Sequence, residues 1–167
     1  VVSSMKKVLE LDPDHANALN YLGYSYAERG IELDAAEAFV KKALALKPES
    51  GHILDSLGWV YYKKGEFSKA VKELERAMKL LPEDPIVNEH LGDAYLKNND
   101  KKKALAAYEN ALKMSPGNRE LTEKIDRLKD RSKLLPWLEF LQRELEPEAV
   151  VPITALKKGG LKQLLGE

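Results

Sequence analysis

Residues 51–84 read GHILDSLGWVYYKKGEFSKAVKELERAMKLLPED. Leu54, Leu57, Gly58 and Tyr61 recur at i, i+3, i+4 and i+7, which places them on one stripe of a helix. Lys64-Gly65 interrupts the pattern, and a second stripe then runs through Phe67, Ala70, Leu74 and Ala77 until Pro82 stops it. The stretch predicts two antiparallel helices joined by a tight glycine turn. A hairpin of this size cannot bury its apolar faces alone, so it needs copies of itself on either side.

The chain supplies them. Gly23, Gly58 and Gly92 are spaced by 35 and 34 residues, and Pro13, Pro48, Pro82 and Pro116 by 35, 34 and 34. Each of these glycines follows a leucine (Leu22, Leu57, Leu91) and precedes a tyrosine by three positions (Tyr26, Tyr61, Tyr95). A small residue stands five positions before each closing proline: Ala43, Ala77 and Ala111. Packing explains the choices. Glycine lets the second helix of a hairpin approach the first, and alanine lets the next hairpin approach the second helix. The tyrosines, with Phe39, Phe67 and Tyr108, fill the wider gaps.

Composition removes several function classes. The 167 residues are 44% hydrophobic and 32% charged, with 27 basic and 27 acidic side chains. Nucleic-acid binding draws its affinity from neutralised phosphates, so a neutral chain without a basic block predicts no nucleic-acid partner. Zero cysteines exclude disulfides, thiolate metal sites and cysteine nucleophiles. No apolar run approaches ~18 residues, so no membrane span is expected in this sequence. The opening VVSSMKKVLELDP aligns only with a second helix, Val1, Met5, Val8 and Leu11 taking the slots of Ala70, Leu74, Ala77 and Leu80. It is expected to follow an upstream repeat.

This repeat pattern resembles the tetratricopeptide repeat over about residues 1–117. The resemblance implies an all-α, right-handed α-solenoid of antiparallel helix pairs. Residues 1–13 are then the second helix of an upstream repeat, followed by repeats at 14–48, 49–82 and 83–116, a capping helix at 117–133, and a helical and extended tail at 134–167. Asp14 and Asp84 are expected N-caps, with Pro85 at the first helical position. An extra residue in repeat one falls near Gly30-Ile31-Glu32, because that restores Leu33, Ala36, Val40 and Ala43 to register. Repeat three has Asn99 and Lys101 where the family expects glycine and an aromatic residue, so a looser turn is expected there. Asn118 opens the capping helix, whose stripe is Leu121, Ile125 and Leu128.

Catalysis has little to stand on. There is no Gly-rich phosphate loop, H-E-x-x-H or nucleophile elbow. His15, His52 and His90 begin successive first helices, but equivalent positions on adjacent repeats lie ~10 Å apart, too far to share a metal. They are expected to face solvent or the groove, and no cofactor or metal is predicted. Carboxylates on helices are expected to pair locally, Glu73 with Lys69 and Glu109 with Lys113. The expectation is a non-enzymatic protein.

Binding is better supported. With Leu54, Leu57, Gly58 and Tyr61 turned inward, His52, Asp55, Trp59, Tyr62 and Lys63 occupy the neighbouring face of the same helix. Corresponding residues are Asn17, Asn20, Tyr24, Ala27 and Glu28 in repeat one, and Ile86, Glu89, Asp93, Leu96 and Lys97 in repeat three. The family resemblance puts this face inside a concave groove that binds a segment of a partner protein. Tyr24, Trp59 and Tyr62 offer flat amphipathic contact area of the kind enriched at binding hot spots. Asn17 and Asn20 can hydrogen-bond a peptide backbone in both senses. Glu28, Asp55, Glu89 and Asp93 outnumber Lys63 and Lys97, which favours neutral or mildly basic segments. The alternative that Trp59 packs against the next repeat stays open. The carboxylate clamp of some family members is missing, its positions holding Asn20, Tyr24, Ser56, Ile86 and His90.

The tail supports a second reading. Trp137, Leu138, Phe140, Leu141 and Leu145 are too apolar for water. They are expected to dock on the last repeat or to mediate self-association as an oligomerisation module. YLGYSYAERG, DSLGWVYYKKGEFSKAV and HLGDAYL are similar to repeats of bacterial envelope lipoproteins that act as adaptors, which implies the periplasmic side of a bacterial envelope.

Overall fold

The computed structural model describes residues 2–130. The chain divides into two units, Val1–Asp126 and Arg127–Glu167. The expectations placed on residues 131–167, including docking or self-association through Trp137, Leu138, Phe140, Leu141 and Leu145, lie outside the described residues. Seven helices follow in order: α1 (Val2–Leu11), α2 (Ala16–Arg29), α3 (Leu33–Leu46), α4 (Gly51–Lys63), α5 (Phe67–Leu80), α6 (Pro85–Lys97) and α7 (Lys101–Met114). An eighth helical stretch occupies residues 119–130. Among the described residues no helix is long and apolar enough to cross a membrane.

Helices pack as hairpins: α2 on α3, α4 on α5 and α6 on α7, with α3 against α4 and α5 against α6 between them. The first helices also touch, α2 with α4 and α4 with α6, so they share a face. The small residues act where the repeat spacing puts them. A Cβ on Gly58 would stand 2.5 Å from Leu74 Cγ and 3.3 Å from the Ala70 carbonyl oxygen. Ala43, Ala77 and Ala111 are fully buried, and Ala77 packs with Leu54 and Val87 across the junction between hairpins. The stripe Leu121, Ile125 and Leu128 is buried as well.

Capping matches the sequence reading at two helix starts, Asp84 and Asn118, and departs from it at one. Asp84 accepts hydrogen bonds from the Ile86 and Val87 amides at 2.9 and 3.2 Å, with Pro85 opening α6. Ser50 caps α4, and Asn118 accepts from the Leu121 amide at 3.2 Å. At α2 the cap is His15 rather than Asp14. The His15 Nδ1 accepts from the Ala18 amide at 3.2 Å, while the Asp14 carboxylate is 2.8 Å from Lys42 and its amide donates to Asp12. Charge pairing also differs in detail: Glu73 takes Arg76, and Lys69 takes Glu66.

The turns inside the hairpins are a further correction. Gly30, Gly65 and Asn99 stand at φ 64°, 78° and 65°. Each is followed by an amide that reaches back five residues, Ile31 to Tyr26, Glu66 to Tyr61 and Asp100 to Tyr95. Asn99 therefore closes the same turn as the glycines and does not loosen it, because asparagine tolerates the left-handed region better than other residues bearing a Cβ. The extra residue of repeat one lies where register requires it. Glu32, at φ 45°, absorbs it just before α3.

Candidate functional site

The shared face of α2, α4 and α6 resolves into three clusters. The first lies at the N-terminal halves of the helices, where Asn17, Asn20, Tyr21, Tyr24, Ser50, His52, Ile53, Asp55, Ser56, Asp84, Ile86 and Val87 surround a cavity of about 490 Å³. Asn17 and His52 are exposed, Tyr24 is half-buried, and Ile86 remains 57% exposed. Asn17 Oδ1 accepts from Lys47 Nζ at 3.1 Å. Asn20 Oδ1 is buried and has no hydrogen-bond partner among the described residues. Ser56 turns its hydroxyl to the His52 carbonyl at 3.0 Å. Burial, followed by the charges of Glu28 and Asp55, pushes the Tyr24 phenol up to about 12. It is therefore a neutral hydrogen-bonding group at physiological pH.

The second cluster is aromatic. Trp59 is 8% exposed and lies between Tyr62 (ring centroids 4.7 Å apart, planes 4° apart) and His90 (4.1 Å, 16°). Its indole N–H donates to the Glu28 carboxylate, and Lys63 Nζ stands 5.1 Å from its ring centroid. Of the two sequence readings of Trp59, the packed one holds, because His90 belongs to α6 of the next hairpin. The aromatic surface left accessible comes instead from half-buried Tyr24 and Tyr62 and from exposed Tyr21. His90 is itself buried, not solvent-facing, with Nδ1 2.9 Å from Asp55 Oδ1. Ala27, grouped with this face by helix geometry, is fully buried.

The third cluster was invisible to repeat arithmetic limited to first helices. Lys124, from the stretch after α7, stands 2.7 Å from Glu89 and 3.1 Å from Asp93. Burial lowers the lysine pKa, but the two carboxylates outweigh that and leave it raised. Fully buried Tyr108 of α7 donates its hydroxyl to Asp93 at 2.5 Å. Desolvation, then this bond, pushes the Tyr108 pKa up. The four acids expected to bias the face, Glu28, Asp55, Glu89 and Asp93, thus all have partners within the chain. Lys97 stands apart from the rest, on a separate depression beside the Gly65 and Asn99 turns.

A positional rule underlies these contacts. Asp55 to His90 and Glu89 to Lys124 are both 35 residues, and Asp55 and Glu89 are equivalent positions in successive repeats. A carboxylate on one first helix meets a side-chain nitrogen on the next. That interval is legible in the sequence once neighbouring positions, and not only identical ones, are compared across repeats. At the first junction the same two positions are Asn20 and Ser56, and no such bond forms. Among the described residues no group of three or more His, Asp or Glu could hold a metal ion.

Two family models, each described as tetratricopeptide repeat, match residues 5–38 and 56–119, together more than half of the chain. Among solved structures, that of MamA superposes with TM-score 0.69 at 27% identity, covering 80% of this chain and 77% of that one. The first repeat domain of Spaghetti, bound to the HSP90 peptide SRMEEVD, superposes with TM-score 0.66 at 20% identity, covering 71% and 93%. Among curated proteins, GTPase Era of Xanthomonas oryzae pv. oryzae is 43% identical over 47 residues. That is 28% of this chain and only 16% of the relative's length.

Proposed function

Because the chain belongs to the tetratricopeptide-repeat family, we propose that it is a non-catalytic scaffold whose α2–α4–α6 face binds an extended segment of a partner protein. The observation that carries this reading is the cavity between the three first helices, with Tyr21, Tyr24 and Ile86 partly open beside it. A peptide bound to the structurally similar Spaghetti domain supports it by analogy of fold. Aromatic and aliphatic surface beside hydrogen-bonding side chains suits a peptide, whose backbone needs partners and whose side chains need pockets.

Selection from a displayed random-peptide library on the intact chain tests the reading. Enriched peptides should bind the wild type and lose at least ~10-fold in affinity with Tyr24→Ala/Tyr62→Ala, as truncated hot-spot aromatics do. Equal binding by the double variant would remove the face from the proposal. Trp59→Ala is the wrong probe, since it would disturb packing before it touched a ligand.

The second reading, self-association through Trp137, Leu138, Phe140, Leu141 and Leu145, rests on their apolar character alone. Sedimentation of the intact chain against one ending at Lys133 decides it, a monomer in both cases ending the idea. An envelope location is a further proposal resting on the repeat wording, and fractionation of the source cell tests it.

A further inference from the structure

The cavity at the first junction is built for a specific side chain. We infer that it takes a basic side chain of the bound segment, arginine in preference to lysine; the inference rests on the peptide-binding reading above. Asn20 Oδ1 is the starting point: a buried acceptor without a partner is costly, and a hydrogen-bond donor supplied from outside relieves that cost. Asn20 is among the residues that line the cavity, from which such a donor would approach.

Charge selects the cation. Asp55 and Asp84 line the cavity, and none of the lining residues is lysine or arginine. The ends of α4 and α6 oppose this with roughly half a positive charge each. Asp84 already covers the α6 end by accepting the Ile86 and Val87 amides. At the rim, Asn17 already holds the Lys47 ammonium at 3.1 Å, so the edge accepts a cation from the chain itself. Tyr21, Tyr24, Ile53 and Ile86 supply ring faces and aliphatic surface for the stem, and a guanidinium stacks on such rings better than an ammonium does.

The comparison with the second junction strengthens the argument. There, the positions equivalent to Asn20 and Ser56 are Asp55 and His90, and they bond each other at 2.9 Å. The first junction lacks that internal pair, and the ligand supplies the donor.

The probe is N-acetyl-arginine amide titrated into the intact chain and followed by NMR, with the norleucine and glutamate amides as controls. Saturable shifts at Asn20, Tyr24 and His52, with arginine favoured over norleucine by ~10-fold or more, are expected. Asn20→Leu should abolish the preference. Asp84→Ser, which keeps a capping hydroxyl but drops the charge, should weaken it and reduce its salt dependence. Equal binding of norleucine, a preference for glutamate, or an unchanged preference in both variants overturns the inference. If library peptides still require Tyr24 and Tyr62 in that event, the scaffold reading survives and only the basic pocket falls.

Discussion

The two junctions between successive hairpins share a backbone plan and divide their polar contacts in opposite ways. At the first, Lys64 at the end of α4 bonds Asp34 and Glu37 of α3 at 2.7 and 2.5 Å, while on the helix face Asn20 Oδ1 has no partner among the described residues and Ser56 bonds only within its own helix. At the second, the turn end has a neutral bond from Ser68 to Asn98 at 3.0 Å, and the face carries Asp55 and His90. The first junction places its ion pairs at the turn end, and the second places a carboxylate–imidazole bond on the face. Buried glycine and alanine positions stay constant because a neighbouring helix would collide with anything larger. The polar positions vary because any complementary pair serves the packing, and at the first junction that latitude leaves an opening.

The largest effect should come from breaking the face contact of the second junction. Asp55→Ala leaves buried His90 without its partner and should cost about 2–3 kcal/mol in denaturant unfolding, whereas Asn20→Ala removes an unsatisfied acceptor and should cost well under about 1 kcal/mol. Equal costs would dissolve the distinction between the junctions. Next in size is a transplant: Asn20→Asp/Ser56→His copies the second junction's pair into the first, where the cavity leaves room for the imidazole. The double variant should gain up to about 1 kcal/mol, and a double-mutant cycle should assign that gain to the pair.

Smaller again is Asn99→Gly, which removes the residual strain of a side chain in the left-handed region. It should raise stability by about 0.5 kcal/mol without altering the α6–α7 hairpin, as thermal unfolding can show. The smallest concerns acid. Hydrogen bonds from Lys41 and then Lys64 hold Glu37 well below its ordinary 4.5, at about 2. Its contribution is therefore complete above the unfolded value and fades as pH falls from about 4.5 toward 2. Glu37→Gln should flatten the stability profile within that window and nowhere else, and the difference should shrink with added salt.

Sequence pattern carried the fold a long way. Gly58, Ala77 and the proline interval announce hairpins because each is a steric demand repeated at fixed spacing, and even the extra residue before Leu33 could be located by register. The face was legible only in part. Helix geometry placed Tyr24, Trp59 and Tyr62 near one another, but Trp59 is covered by a histidine of the following hairpin, and a single-helix projection contains no neighbour. Asp55 and His90 are hidden for the same reason, since surface groups and bridging groups share one composition, and Lys124 draws no attention on its own helix. Asn99 differs in the other direction: the family's glycine at this position suggests a looser turn without it, yet the left-handed turn admits asparagine.

The bond from Glu89 and Asp93 to Lys124 has a consequence for how such a chain can grow. The second and third units each leave half of a polar contact to be completed by what comes after, and residue 124 completes the third. Copying one unit in tandem would therefore create one new seam, and where residues 49–82 are copied that seam would set Asp55 against Ser56 and leave the acid without its partner. Lengthening the array by simple duplication would succeed only where the new neighbour brings the missing sign.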